Sequence, residues 1–117
     1  MGLDIDPQAV RVSQDNARLN EVDSVCTFLD TPLQELTIPQ SEEDKYPVML
    51  INTLGPVIIE LLPAIVPHLA KGGRIICSGL IEKSCDDLEK ALESYDFKCF
   101  KRHQLNQWFA LEAVYQK

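Results

Sequence analysis

Two short runs of uninterrupted apolar residues, Val48-Met49-Leu50-Ile51 and Ile75-Ile76-Cys77, flank a helical segment, and this spacing constrains the fold more than any other feature. A half-exposed strand alternates apolar and polar residues. A run without alternation is expected where a strand is buried on both faces, as in a parallel sheet. Between the runs, from Pro56 to Ala70, apolar residues recur at helical spacing (Ile58, Leu61, Leu62, Ile65, Leu69), with a kink or restart predicted near Pro63. Gly72-Gly73 is predicted to stop this helix and turn the chain into the strand Arg74-Ile75-Ile76-Cys77.

The remaining elements follow the same logic. Asp6 is placed to cap a helix that starts at Pro7, where a missing N–H is harmless, and runs to about Asn20. Ser24 to Leu29 reads as a second strand closed by Asp30-Thr31-Pro32. The acidic stretch Gln40 to Lys45, flanked by Pro39 and Pro47, reads as a solvated surface connection. Ser84 is predicted to cap a helix ending near Tyr95. Phe97 to Arg102 and Trp108 to Tyr115 alternate about a polar turn at Asn106, the pattern of a terminal antiparallel hairpin. The predicted order is strand, helix, strand, strand, helix, strand, helix, strand, strand. This is an α/β arrangement in a single domain of residues 1–117.

Composition narrows the function classes. With 11 basic against 18 acidic residues the net charge is −7, which disfavours a nucleic-acid surface, because phosphate contacts need clustered Lys and Arg. No basic-then-apolar leader is read at Met1, and the apolar stretch Val57 to Leu69 is too short to span a bilayer and is cut by Pro63 and Pro67. Cys26, Cys77, Cys85 and Cys99 form no C-x-x-C pair, so core packing is expected rather than structural zinc, and the thiols are read as reduced and intracellular.

Asp4 and Asn52 stand out, each a polar residue at the carboxyl end of an apolar strand. Ligands of open α/β sheets bind at that edge, and an acid there typically grips both ribose hydroxyls. In an open parallel sheet both residues would face one crevice. The competing role for Asp4 is a turn or cap, but Asp6 already fills that role; for Asn52 it is a turn before Gly55-Pro56. Asp30 is assigned to turn chemistry. His68 and His103 have no partner acid at recognisable spacing and are read as structural, and Glu82, Asp86 and Asp87 as a solvated helix start.

These residues reach a family. Gly2-Leu3-Asp4-Ile5-Asp6-Pro7-Gln8-Ala9-Val10, with Asp15-Asn16-Ala17 and Leu19-Asn20, resembles the second-strand region of class I S-adenosylmethionine-dependent methyltransferases. Ile51-Asn52-Thr53-Leu54, Gly55-Pro56, Glu60-Leu61, Leu69-Ala70-Lys71-Gly72-Gly73, Ser78-Gly79-Leu80-Ile81 and the Trp108 strand resemble the ribosomal protein L11 methyltransferase family. The resemblance implies a Rossmann-like methyltransferase sheet with a C-terminal antiparallel hairpin. It also implies S-adenosyl-L-methionine as cofactor and methyl transfer to lysine side chains and an N-terminal amine of a basic ribosomal protein. Carried over residue by residue, Asp4 holds the ribose hydroxyls, Ile5 packs on the adenine, and Asn52 helps to bind the methionine portion. No catalytic nucleophile and no metal site are expected, and neither nucleic acid nor membrane is an expected partner.

The family pattern has a strand and glycine-rich turn before Asp4, and these are expected to be lacking here. The two resulting sheet edges would be unpaired. The expectation is therefore a truncated methyltransferase-like chain, doubtful as a catalyst alone, or a sheet that closes by self-association through those edges. A non-catalytic methyltransferase-like interaction module is the alternative. A dinucleotide-dependent oxidoreductase is disfavoured by the hairpin and the Asn52 block. The expected location is the cytoplasm, or an organelle stroma or matrix if a transit peptide precedes Met1.

Overall fold

Asp6 begins the first helix as its residue type requires. In a computed structural model that describes all 117 residues, its carboxylate accepts the Gln8 backbone N–H at 2.9 Å, and Pro7 opens helix α1 (Pro7–Leu19). The chain divides into two compact units, Met1–Thr37 and Ile38–Lys117.

In the first unit, strand β1 (Gly2–Leu3) pairs in parallel with strand β2 (Phe28–Leu29), Gly2 opposite Phe28 and Leu3 opposite Leu29. The Phe28 ring packs over Gly2, where a Cβ would lie 2.7 Å from it and force the ring to shift. The second strand is shorter than the predicted Ser24–Leu29. Asp23–Val25 forms a 3-10 turn instead, and a strand can be no longer than the ladder its partner offers.

The second unit is a four-stranded sheet in the order β3-β4-β6-β5. Strands β3 (Tyr46–Asn52) and β4 (Leu69–Leu80) are parallel, while β6 (Trp108–Tyr115) runs antiparallel to both β4 and β5 (Phe97–Leu105). Helix α2 (Gly55–Ile65) makes the parallel crossover, and helix α3 (Glu82–Ser94) leads into the hairpin. The nine helices and strands occur in the predicted order. The hairpin turns through Asn106, at φ 56°, in the left-handed region that asparagine tolerates.

Period-two alternation fixes the core. Ile75 and Cys77 of β4 and Phe109, Leu111 and Ala113 of β6 are buried, as are Ile58, Leu62 and Ile65 of α2 and Cys85, Leu88 and Leu92 of α3. Cys77 and Cys85 lie in the core, whereas Cys26 and Cys99, also expected there, are only half-buried, and all four thiols are free.

Several expectations need correction. The β3 run is not buried on both faces: Val48 and Leu50 are exposed and alternate with half-buried Met49 and Ile51, so one face of this edge strand is left uncovered. Helix α2 runs without interruption through Pro63 to Ile65. A 3-10 turn at Val66–His68 then ends it, so β4 starts at Leu69, ahead of Gly72-Gly73. Gly72, at φ 68°, donates its N–H to the Lys117 carbonyl within the irregular start of β4. Ser84 is not a cap: Ile81 occupies the N-cap of α3 without a side-chain bond, and Ser84 packs against Gly55, where a Cβ would lie 2.7 Å from the Ser84 Cβ. The acidic stretch is more than a solvated link, because Glu42 sits in a 3-10 turn (Glu42–Asp44) and accepts the Lys71 N–H.

Candidate functional site

Asp4 follows β1 directly, where its N–H donates to the Leu29 carbonyl at 3.1 Å and holds the strand end in register. Its Oδ1 accepts the Asp6 N–H at 3.0 Å, so the carboxylate is fixed on one oxygen while the residue stays exposed. The turn role and the ligand role are therefore compatible: one oxygen braces the Asp-Ile-Asp turn, and the other carries no protein hydrogen bond. Ile5, between the two acids, is 77% exposed. The concavity of about 240 Å³ in this unit, lined by Gln14, Ala17, Arg18, Asp23, Cys26 and Phe28, includes neither residue.

In the second unit, Asn52 ends β3, paired with Ser78 of β4. It is exposed, and its carboxamide makes no hydrogen bond within the protein. Immediately beyond Ser78, β4 breaks its register with β6 between Cys77 and Leu80, and Gly79 sits in this irregularity at φ 78°. Around the same end of the sheet stand exposed apolar residues, Leu54 at the start of α2 and Ile81 at the start of α3. Gly79 went unremarked as a site residue in the sequence. The available signal was its place just after an apolar strand, where a glycine marks a bend or a close approach.

The ionisable groups away from these ends form structural pairs. His103 does have an acidic partner, contrary to expectation: its Nε2 lies 2.7 Å from Glu112 Oε2 on the adjacent strand. That hydrogen bond holds the Glu112 carboxyl below its ordinary range. Asp86 and Glu89 of α3 engage Arg102 of β5 at 2.9 and 3.2 Å, so Asp86 is a tie between elements rather than a merely solvated residue. Burial pushes the Cys77 thiol up to about 12 and the Cys99 thiol to about 11, which removes both as nucleophiles at neutral pH. His68 is buried, with Nδ1 2.9 Å from the Ala64 carbonyl. No group of three or more His, Cys, Asp or Glu side chains is arranged to hold a metal. No helix is long and apolar enough to cross a membrane.

The model of the ribosomal protein L11 methyltransferase family matches residues 1–116. The chain belongs to this family. A ribosomal protein L11 methyltransferase from Desulforapulum autotrophicum is 34% identical over 112 residues, covering 96% of this chain and 36% of that protein. Another from Lactobacillus johnsonii is 29% identical over 111 residues, covering 95% of this chain and 33% of its own length. The chain thus spans about a third of the length of the curated relatives it matches. Among solved structures, the ribosomal protein L11 methylase of Lactobacillus delbrueckii subsp. bulgaricus aligns with a TM-score of 0.85 at 22% identity, covering 98% of this chain and 56% of that one. An RNA methyltransferase from Salinibacter ruber, solved with S-adenosyl-L-homocysteine, aligns with a TM-score of 0.69 at 17% identity, covering 97% and 63%. The fold is that of the Rossmann-like class I methyltransferases, with a mixed sheet and an antiparallel hairpin, as the L11 methyltransferase resemblance implied.

Proposed function

We propose that this chain carries part of the S-adenosyl-L-methionine site of a ribosomal protein methyltransferase, and that residues 1–117 belong to one methyltransferase-like domain. The observation that carries the reading is Asp4. Its carboxylate stands exposed at the carboxyl end of a parallel strand, steadied on one oxygen and open on the other. An ionised carboxylate is acceptor-only, which suits a pair of ribose hydroxyls. Ile5 offers an exposed apolar surface of the kind an adenine ring covers, and the Asn52 carboxamide offers both donors and an acceptor to the methionine portion. The residues present fit the cofactor.

When bound, the sulfonium supplies a methyl group that is already activated. The protein therefore has to align an incoming amine and exclude water, without a nucleophile or a triad. A lysine amine has an ordinary pKa of about 10.4 and must be neutral to attack; desolvation by apolar neighbours such as Leu54 and Ile81 moves it in that direction. The acceptor in this reading is a basic ribosomal protein, attracted by the net charge of −7, with no nucleic acid bound directly. The reading places the protein in the cytoplasm with the ribosomes it serves. Self-association through the free edge of β3 belongs to the same proposal.

Titration calorimetry of the chain with S-adenosyl-L-homocysteine tests it. Binding that Asp4→Ala weakens at least tenfold is the expected result. A chain that binds neither S-adenosyl-L-homocysteine nor S-adenosyl-L-methionine, alone or extended upstream, would overturn this reading and favour the alternative, a non-catalytic interaction module.

A further inference from the structure

The carboxamide of Asn52 is exposed and bonded to no protein group, yet it does not stand in open space. Strand β4 passes beside it, with Ser78 as its register partner and Gly79 as the next residue. A Cβ added to Gly79 would collide with Asn52 Oδ1, with the Asn52 carboxamide carbon and the Thr53 carbonyl oxygen both 3.6 Å away. The positive φ of 78° is what favours glycine here, since other residues adopt it at a penalty; the Asn52 Oδ1 is the free end of an exposed side chain, so a Cβ at position 79 would be admitted by displacing the carboxamide. The register break between Cys77 and Leu80 bends β4 at this point. Gly72 shows the contrast. It also has a positive φ, but a Cβ there meets nothing within 4 Å.

We propose that Gly79 is a positioning residue for Asn52. Its bare backbone forms one wall of the slot in which the carboxamide lies, and this restricts the side chain on the side facing β4. Any side chain at position 79 drives Oδ1 out of that slot and turns the amide away from its ligand. The assignment rests on the reading that Asn52 contacts the methionine portion of S-adenosyl-L-methionine.

Four proteins decide it: the unaltered chain, Gly79→Ala, Asn52→Ala and the double variant. Each is examined by calorimetry with S-adenosyl-L-homocysteine, by thermal unfolding, and by the side-chain amide signals in ¹⁵N–¹H spectra. The Asn52 pair is assigned by its loss in Asn52→Ala. Gly79→Ala is expected to move the Asn52 amide signals and weaken binding about tenfold. In the Asn52→Ala background the same change should cost less than twofold in affinity, because no carboxamide remains to be displaced. The strain of the positive φ is common to both backgrounds and cancels in this comparison.

Unmoved amide signals, or equal losses of affinity in both backgrounds, would overturn the assignment. If Gly79→Ala fails to fold while the double variant folds, the clash with Asn52 is demonstrated directly. If both fail, the glycine serves backbone conformation alone and the assignment falls. A chain that binds no cofactor defeats the underlying functional reading, and the amide signals then decide the positional relationship by themselves.

Discussion

The Glu42 carboxylate accepts the backbone N–H of Lys71, across 29 residues of sequence, and so ties the acidic connection before β3 to the start of β4. The bond holds the Glu42 carboxyl below its ordinary value, with Lys45 at 3.3 Å adding to the effect. Glu42→Ala is expected to lower the thermal midpoint. Glu42→Gln, which keeps an acceptor oxygen, should lower it less. Equal losses in the two variants would show that the charge, and not the hydrogen bond, makes the tie.

Gly55 and Ser84 set how closely α2 and α3 approach. A methyl group at position 55 would lie 2.7 Å from the Ser84 Cβ and 3.3 Å from its Oγ, so the helix starts must separate to admit it. Gly55→Ala should destabilise the protein by about 1–3 kcal/mol, the usual range for overpacking. Ser84→Gly in the same chain should recover most of that loss. Urea unfolding of the two single variants and the double variant measures the coupling.

Leu111 is fully buried in the middle of β6, opposite Cys77 of β4 and Arg102 of β5. Leu111→Ala is expected to cost about 2–5 kcal/mol, the span found for large-to-small changes at such sites. The urea midpoint should fall with little change in slope.

Acid should weaken the hairpin through Glu112. Its carboxyl is held below the ordinary value of 4.5, first by the hydrogen bond from His103. A carboxyl with a depressed folded pKa contributes stability above its unfolded pKa and loses it as the pH falls through the folded value. Stability should therefore decline below pH 4.5, and Glu112→Gln should flatten that decline. A pH series of thermal midpoints gives both slopes.

Cysteine reactivity should separate by burial. With its thiol near 12, Cys77 is almost wholly protonated at pH 8, and Cys99, near 11, is nearly so. A disulfide-exchange reagent at pH 8 should leave Cys77 and Cys99 unmodified in the native protein. Denaturant should expose them to rapid reaction. Mass spectrometry of quenched samples identifies the modified positions.

The order of helices and strands was legible because each periodicity belongs to a local stretch: Val48 to Ile51, the Ile58–Ile65 helix face, and the alternation from Trp108 to Tyr115. Neighbours across strands were not. A continuous apolar run says that Val48 and Leu50 lie in a strand, but the exposed face of β3 depends on which elements pack beside it. The His103–Glu112 pair is set by hairpin register, with a bulge between Cys99 and Lys101, and no spacing rule along the sequence carries that information. Ser84 has the residue type of a cap, yet the chain enters α3 at Ile81, and the serine is used instead for its small size against Gly55. Of the site, the positions of Asp4 and Asn52 at their strand ends were legible, since each follows an apolar run. The companion of Asn52 was not, because the collision that Gly79 avoids exists only once β3 and β4 are aligned.

The strand order β3-β4-β6-β5 places β6 between two strands that precede it in the chain. During vectorial synthesis β5 is made before the only strand that can join it to β4. A growing chain interrupted before Trp108 has neither the β4–β6 ladder nor the hairpin, and its buried face lacks Phe109, Leu111 and Ala113. The β4–β6 and β5–β6 ladders therefore wait until Trp108–Tyr115 has left the ribosomal tunnel, however early the β3–β4 pair is made.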